Sequence, residues 1–206
     1  NNEYQRYNFT VRNTSNFFND RMTLDLGFSY VIQKDQNMLS QGQYFNPIVP
    51  LYLFPRGEDF TPYRMYERYD EGRQLMTQHW PYGEMGMAMQ NPYWIINRNM
   101  FNNDRDRYMA NAGLKYKVFD WMDISGRVRI DNANTRHTKK LYASTDAKFA
   151  QNKGYYGDRK DVDKQLYADF LVNINKRFND FDLTANVGAS IQDVSMDYVG
   201  AEGQLS

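Results

Sequence analysis

The stretch RDRYMANAGLKYKVFDWMDISGRVRIDN, Arg105 to Asn132, holds one complete strand, turn and strand in two-residue alternation. Tyr108, Ala110, Ala112, Leu114, Tyr116 and Val118 fall on one face, and Arg107, Met109, Asn111, Gly113, Lys115 and Lys117 on the other. Beyond the turn, Met122, Ile124, Val128 and Ile130 continue the apolar set, while Asp123, Ser125, Arg127, Arg129 and Asp131 continue the polar one. A period of two belongs to a strand whose faces meet different media. Each arm keeps its pattern for about 10 residues, the length a tilted strand needs to cross the hydrocarbon layer of a membrane. The stretch therefore reads as a transmembrane β-hairpin.

The same period recurs on either side. Tyr7, Phe9 and Val11 alternate with Asn8, Thr10 and Arg12, and Met22, Leu24, Leu26, Phe28, Tyr30 and Ile32 share a face that only Val31 interrupts. Towards the C-terminal end, Leu166, Ala168, Phe170, Val172 and Ile174 precede Leu183, Ala185, Val187, Ala189 and Ile191. The expected fold is all-β: an antiparallel transmembrane β-barrel segment of six strands in three hairpins, at about 4–16, 21–34, 105–118, 121–134, 161–178 and 181–198.

The joining turns repeat: FFND from Phe17 to Asp20, FDWMD from Phe119 to Asp123, and FNDFD from Phe178 to Asp182. Asn and Asp suit tight turns because their side chains bond the local backbone. The flanking Phe17, Phe18, Phe119, Trp121, Phe178 and Phe181 are expected to form an aromatic girdle at a membrane surface, although rings could also plug the end of a soluble barrel. The remaining connections, about 35–104 and 135–160, are long. Short turns on the periplasmic side and long extracellular loops are the asymmetry of a bacterial outer-membrane barrel. All six prolines lie in the first long loop, leaving the strands free of them. That loop carries LYLFPRGEDF and QNPYWIINRN and is expected to be ordered, with Trp80, Tyr82, Tyr93 and Trp94 as candidate contacts to a ligand or partner.

Composition narrows the function. With 25 basic and 25 acidic residues the chain has no net field to hold nucleic acid, and with no cysteine it offers neither disulfides nor a thiolate. Aromatics reach 16% while mean hydropathy is −0.81, and no apolar run approaches the ~18 residues of a membrane helix. A barrel fits, since only alternate residues of its strands meet lipid, and so does a soluble, Tyr-rich binding domain.

Chemistry is sparse. His79 and His137 are the two histidines, and neither spacing nor order brings Ser144 or Ser190 to them, so no catalytic residues are assigned. Asp158, Asp161, Asp163 and Asp169 lack the grammar of a calcium loop, and no metal or cofactor is expected. Met85, Met87 and Met89 alternate as a short apolar edge rather than a metal box. Strand phase turns Asp25, Lys115, Arg127 and Arg129 to the polar side, which in a barrel is the lumen.

NPIVPLYLFPRGEDF (Asn46 to Phe60), followed by NPYWIINRNMFNNDRDRYMANAGLKYKVFDWMDISGRV (Asn91 to Val128), resembles the SusC/RagA family of TonB-dependent outer-membrane transporters. The NPYW, NRN and DRDR run, then a strand, then the DW turn, is its most specific part. The resemblance implies the middle portion of a 22-stranded barrel closed by an N-terminal plug. It also implies a SusD-like surface lipoprotein as partner, energy relayed by the TonB complex, and import of oligosaccharides or peptides. NNEYQRYNF at the start is unlike a signal peptide, so the chain is expected to be either cytosolic or an internal piece. Six strands are fewer than the eight or so of the smallest membrane barrels and the family's plug is missing, so the resemblance implies a piece of a larger transporter. No substrate-binding residue carries over, because the matching motifs mark barrel and loop framework. The alternatives are a siderophore or cobalamin receptor on the same barrel, an outer-membrane barrel enzyme, and a soluble six-stranded binding domain.

Overall fold

A computed structural model describes residues 2–38, 42–82 and 90–205. In chain order the elements are β1 (Glu3–Phe17), β2 (Met22–Gln36), α1 (Ile48–Leu53), a 3-10 turn (Thr61–Arg64), β3 (Glu67–Asp70), β4 (Leu75–Gln78), α2 (Pro92–Arg98), β5 (Asn99–Phe119), β6 (Met122–Leu141), α3 (Ala147–Ala150), β7 (Tyr155–Phe178) and β8 (Phe181–Gln204). Six of the strands form one antiparallel sheet in the order β1-β2-β5-β6-β7-β8, and β3 pairs with β4 in a separate ribbon. The three expected hairpins are therefore consecutive neighbours in a meander.

Register turns the alternation of single strands into a two-dimensional band. One row runs Val11, Phe28, Ala110, Ile130, Leu166, and the next Asn13, Leu26, Ala112, Val128, Ala168, Ile191. The apolar side chains of these rows are not covered: Phe28 is 43% exposed, Val128 45% and Ile191 67%. Nothing in the described chain packs over this face, and a contiguous apolar surface of such extent calls for an apolar neighbour.

The band has aromatic edges at both ends. At the turn end, Phe17, Phe119, Phe178 and Phe181 are exposed, Trp121 stacks on Phe119 at 5.1 Å, and Lys176 Nζ lies 4.5 Å from the Trp121 ring centroid. The opposite edge, which alternation alone did not single out, is the row Phe9, Tyr30, Tyr108. There the phenols reach out of the band: Asn132 Nδ2 donates to Tyr108 Oη at 2.6 Å and Tyr30 Oη donates to Asp106 at 3.2 Å. A ring with one apolar end and one hydrogen-bonded end suits a boundary between oil and water.

The turns themselves step down regularly. Met22 pairs with Tyr116, three residues before the end of β5 at Phe119, and Met122 pairs with Ile174, four residues before the end of β7 at Phe178. Steps of three and four residues across two strand spacings correspond to a tilt of roughly 45–55° if the turns lie at one height. At about 45° the apolar runs Met122–Ile130 and Phe181–Ile191 span about 19 and 24 Å, close to the ~25 Å band of outer-membrane barrels.

The strands run further than their periodicity. β5 begins at Asn99 rather than near 105, β6 continues to Leu141, β7 starts at Tyr155 and β8 reaches Gln204. Above the band both faces are polar, as in the row Lys34, Asp104, Arg136, Lys160, so the backbone ladder continues after the alternation has ended. The second long connection shrinks accordingly to 142–154, around α3.

The buried centre lies beside the sheet, in the long connection. Trp80, Trp94, Ile95, Leu141 and Ala150 are buried there, with Gln78, Gln90, Asn91, Asn99, Ser144 and Thr145. α2 starts where its sequence says it should: Pro92 occupies the first turn, and Asn91 caps it by accepting from the Tyr93 N–H at 2.8 Å. The same Asn91 donates to the carbonyls of Tyr63 and His79 at 2.8 and 2.9 Å, joining three segments. At the far end of α2, Arg98 donates to both carboxylate oxygens of Glu67 at 2.6 and 2.7 Å and lies over the Tyr142 ring, and that pairing holds its guanidinium proton more tightly than usual. Met85, Met87 and Met89 lie outside the described residues.

Candidate functional site

The sheet face opposite the apolar band carries the charges. Asp25, Gly113, Arg127 and Asp169 share one row, and Gly27, Asn111, Arg129 and Tyr167 the next. Thus Asp25, Arg127 and Arg129 stand together on this face, with Lys115 one row nearer the turns. Most of these charges are matched across strands. Arg12 meets Asp25 at 2.8 Å, Lys115 meets Asp123 at 3.4 Å, Arg127 meets Asp169 at 3.0 Å, and Arg107 forms a two-pronged pair with Asp131. Exposed pairs of this kind each contribute little to stability in water. Their geometry matters more here, because it lines one face with fixed donors and acceptors.

Between the rows lies a concavity of about 500 Å³ bordered by Arg12, Asp25, Asn111, Arg127, Arg129 and Tyr167, with Gly113 at its floor. A second, about 870 Å³, opens farther from the turns on the same face, where β5 to β8 outrun the apolar band. One polar chain crosses it. Asp35 accepts from Asn103 Nδ2 at 2.7 Å, Asn103 Oδ1 lies 2.6 Å from His137 Nδ1, and His137 Nε2 lies 3.4 Å from Asp161. Asp161 in turn takes both Arg159 nitrogens at 2.6 and 2.8 Å, and Arg159 stacks on Tyr198 at 5.0 Å. Asp161 holds its proton more weakly than usual, first because of Arg159 and then because of His137.

Sequence order gave no reason to join Asp35, Asn103, His137, Asp161 and Tyr198; strand register does. A weaker clue was present in β8, where Val194, Met196 and Tyr198 reverse the phase set by Val187, Ala189 and Ile191 and bring apolar groups to the polar face. They are 58%, 76% and 76% exposed.

The four aromatic residues singled out in the long loop divide into two pairs. Trp94 is fully buried and donates Nε1 to Thr145 Oγ1 at 3.0 Å, and Trp80 is buried among Phe54, Phe60, Tyr63 and Tyr82 at centroid distances of 5.4–6.0 Å. Their ring area is therefore occupied inside the loop. Tyr82 and Tyr93 stand half-buried at its margin, the Tyr93 ring 6.2 Å from Phe60. The apolar groups presented outward are others: Ile48, Leu51, Tyr52 and Leu53 of α1, with Tyr52 86% exposed. A signal for them existed in IVPLYL, a helical turn without a polar residue, but composition cannot say which way a one-and-a-half-turn helix faces.

Among the described residues, no catalytic pair is assembled from the serines and histidines. Ser144 is buried and its Oγ accepts from the Gln78 N–H at 2.9 Å, His79 Nδ1 lies 3.0 Å from the Met65 carbonyl, and Ser190 sits in the row of Arg127 and Asp169. Asp158, Asp161 and Asp169 each face a guanidinium, and among the described residues no three ligating side chains converge on a metal position. No protein-family model matches the chain, and no curated protein matches it.

Proposed function

We propose that this chain is part of the wall of an outer-membrane active transporter of the SusC/RagA kind, with the apolar band against lipid, the charged face towards the lumen and the long loop outside the cell. The observation that carries the reading is the band: six strands with one apolar face, uncovered among the described residues, edged by rings at the turn end and, on β1, β2 and β5, at the other. An open six-stranded sheet would leave backbone groups of β1 and β8 unpaired in lipid at several kcal/mol each, so further strands of the parent protein complete the barrel, 22 in all by the family resemblance. The wall binds and guides oligosaccharides or peptides and performs no bond chemistry of its own. TonB supplies the energy through parts of the parent that lie elsewhere.

The partner contact falls on α1. Leu51, Tyr52 and Leu53 offer rigid apolar area on an ordered scaffold, which is what an interface anchor needs. With Tyr52 and Leu53 both changed to Asp, the parent protein should still assemble in the membrane but capture its SusD-like lipoprotein about 5–30-fold less well, the loss of roughly 1–2 kcal/mol. Undiminished copurification would remove α1 from the interface.

The turn end lies at the periplasmic surface. Bromine placed at successive depths on lipid chains should quench Trp121 best near the headgroups. Strongest quenching at the bilayer centre, or none at any depth, would contradict the girdle.

A further inference from the structure

We infer that the concavity floored by Gly113 binds a carboxylate, and so that the solute this wall admits is an acidic oligomer. The inference rests on reading the sheet as a transporter wall. Three observations lead to it. First, the site holds three guanidiniums: Arg12 is matched by Asp25 and Arg127 by Asp169, while Arg129 forms no hydrogen bond or ion pair among the described residues, and Asp131, the carboxylate two residues along its face whose charge it feels, is already bonded to Arg107. Its five N–H donors form a planar fork suited to two carboxylate oxygens at once.

Second, there is room for the anion beside that fork. At Gly113 an added Cβ would meet nothing closer than Arg127 Cγ at 3.5 Å, so the floor is open for want of a side chain, in a concavity of about 500 Å³. At Gly27, by contrast, a Cβ would come within 2.3 Å of Asn111 Oδ1 because that amide lies across it, offering a polar wall to a bound group. Tyr167, in register with Arg129, closes the side towards β7.

Third, the surplus extends beyond one residue. On β1, β2, β5 and β6 the same face also bears Arg6, Arg105 and Lys117, none of which has a carboxylate in ion-pair contact among the described residues, against two carboxylates without a cation in such contact, Asp35 on β2 and Asp163 on β7. Cations in excess along a wall of low dielectric raise the local concentration of anions and draw them along it. Neutral saccharides would gain nothing from that field.

The test uses the full-length parent protein in detergent, its barrel verified by heat-dependent migration, with a trigalacturonate and a triglutamate as acidic probes and the reduced, uncharged trisaccharide as their neutral counterpart. At least one acidic probe should bind in preference to the neutral one, and which of them does tells sugar carboxylates from peptide carboxylates. R129Q should weaken that binding about tenfold, the loss of one charge-assisted contact. Gly113→Leu, which fills the floor, should weaken it similarly and Gly113→Ala less, whereas R136Q on the opposite face should leave it unchanged. Equal binding of neutral and acidic probes, or binding indifferent to Arg129 and Gly113 in an intact barrel, overturns this inference and leaves the transporter reading standing. A parent protein that forms no barrel overturns both.

Discussion

Replacing Trp94 by alanine is expected to cost the long loop about 3–5 kcal/mol of local stability, the usual result of emptying a fully buried aromatic site. The ring does two things. It fills the space between α2 and the segment that follows β6, and its Nε1 donates to Thr145 Oγ1, which itself donates to Asn99 Oδ1 at 2.7 Å. Thr145→Val should therefore cost about 1–3 kcal/mol although it keeps the volume, because it strands two buried polar partners. Tyr52→Ala, at an exposed ring, should stay within about 0.5 kcal/mol. Hydrogen exchange of the folded parent protein measures all three: amides of 91–99 and 141–150 should open together in the first two variants and stay protected in the third. Unchanged protection in Trp94→Ala would mean that the loop is held by something other than this core.

The second large effect belongs to the sheet. Val128→Arg should lower stability in a bilayer by about 2–4 kcal/mol, since it places a charge near the middle of the apolar band. Arg127→Gln, one residue away on the opposite face, loses the exposed contact to Asp169 and should cost less than about 1 kcal/mol. The comparison is made by reversible unfolding of the parent protein from lipid vesicles. Similar costs at 127 and 128 would contradict a lipid-facing and a water-facing side.

Alternation carried most of the fold. Where one face is apolar and the other polar, period two shows in a single strand, so the six strands and their pairing into hairpins were legible from residues such as Met22 to Ile32 or Tyr108 to Tyr116. It failed above the band, at Asn99 to Asp104 and Asn134 to Leu141, because a strand wet on both sides has no pattern to show. The polar face was legible by phase: Asp25, Lys115, Arg127 and Arg129 stand where alternation sends them. Their partners were not, since Asp169 lies 42 residues from Arg127 and becomes its neighbour only through β6–β7 register. Loop rings were legible as a count without a direction. Trp94 turned inward because its N–H had Thr145 to bond, while Tyr52 stands outward on a helix too short to show a period.

The central claim, that the uncovered apolar face lies against lipid, is tested most directly by a nitroxide scan. Single cysteines placed along 124–131 in a parent protein otherwise free of them, spin-labelled and reconstituted, report collisions with oxygen dissolved in the bilayer and with a water-soluble nickel chelate. Labels at Ile124, Val128 and Ile130 should collide with oxygen and be shielded from nickel, and labels at Ser125, Arg127 and Arg129 should do the reverse, giving a period of two. A scan in which both faces meet the nickel reagent alike, or in which the apolar face is shielded from both reagents, would contradict the claim.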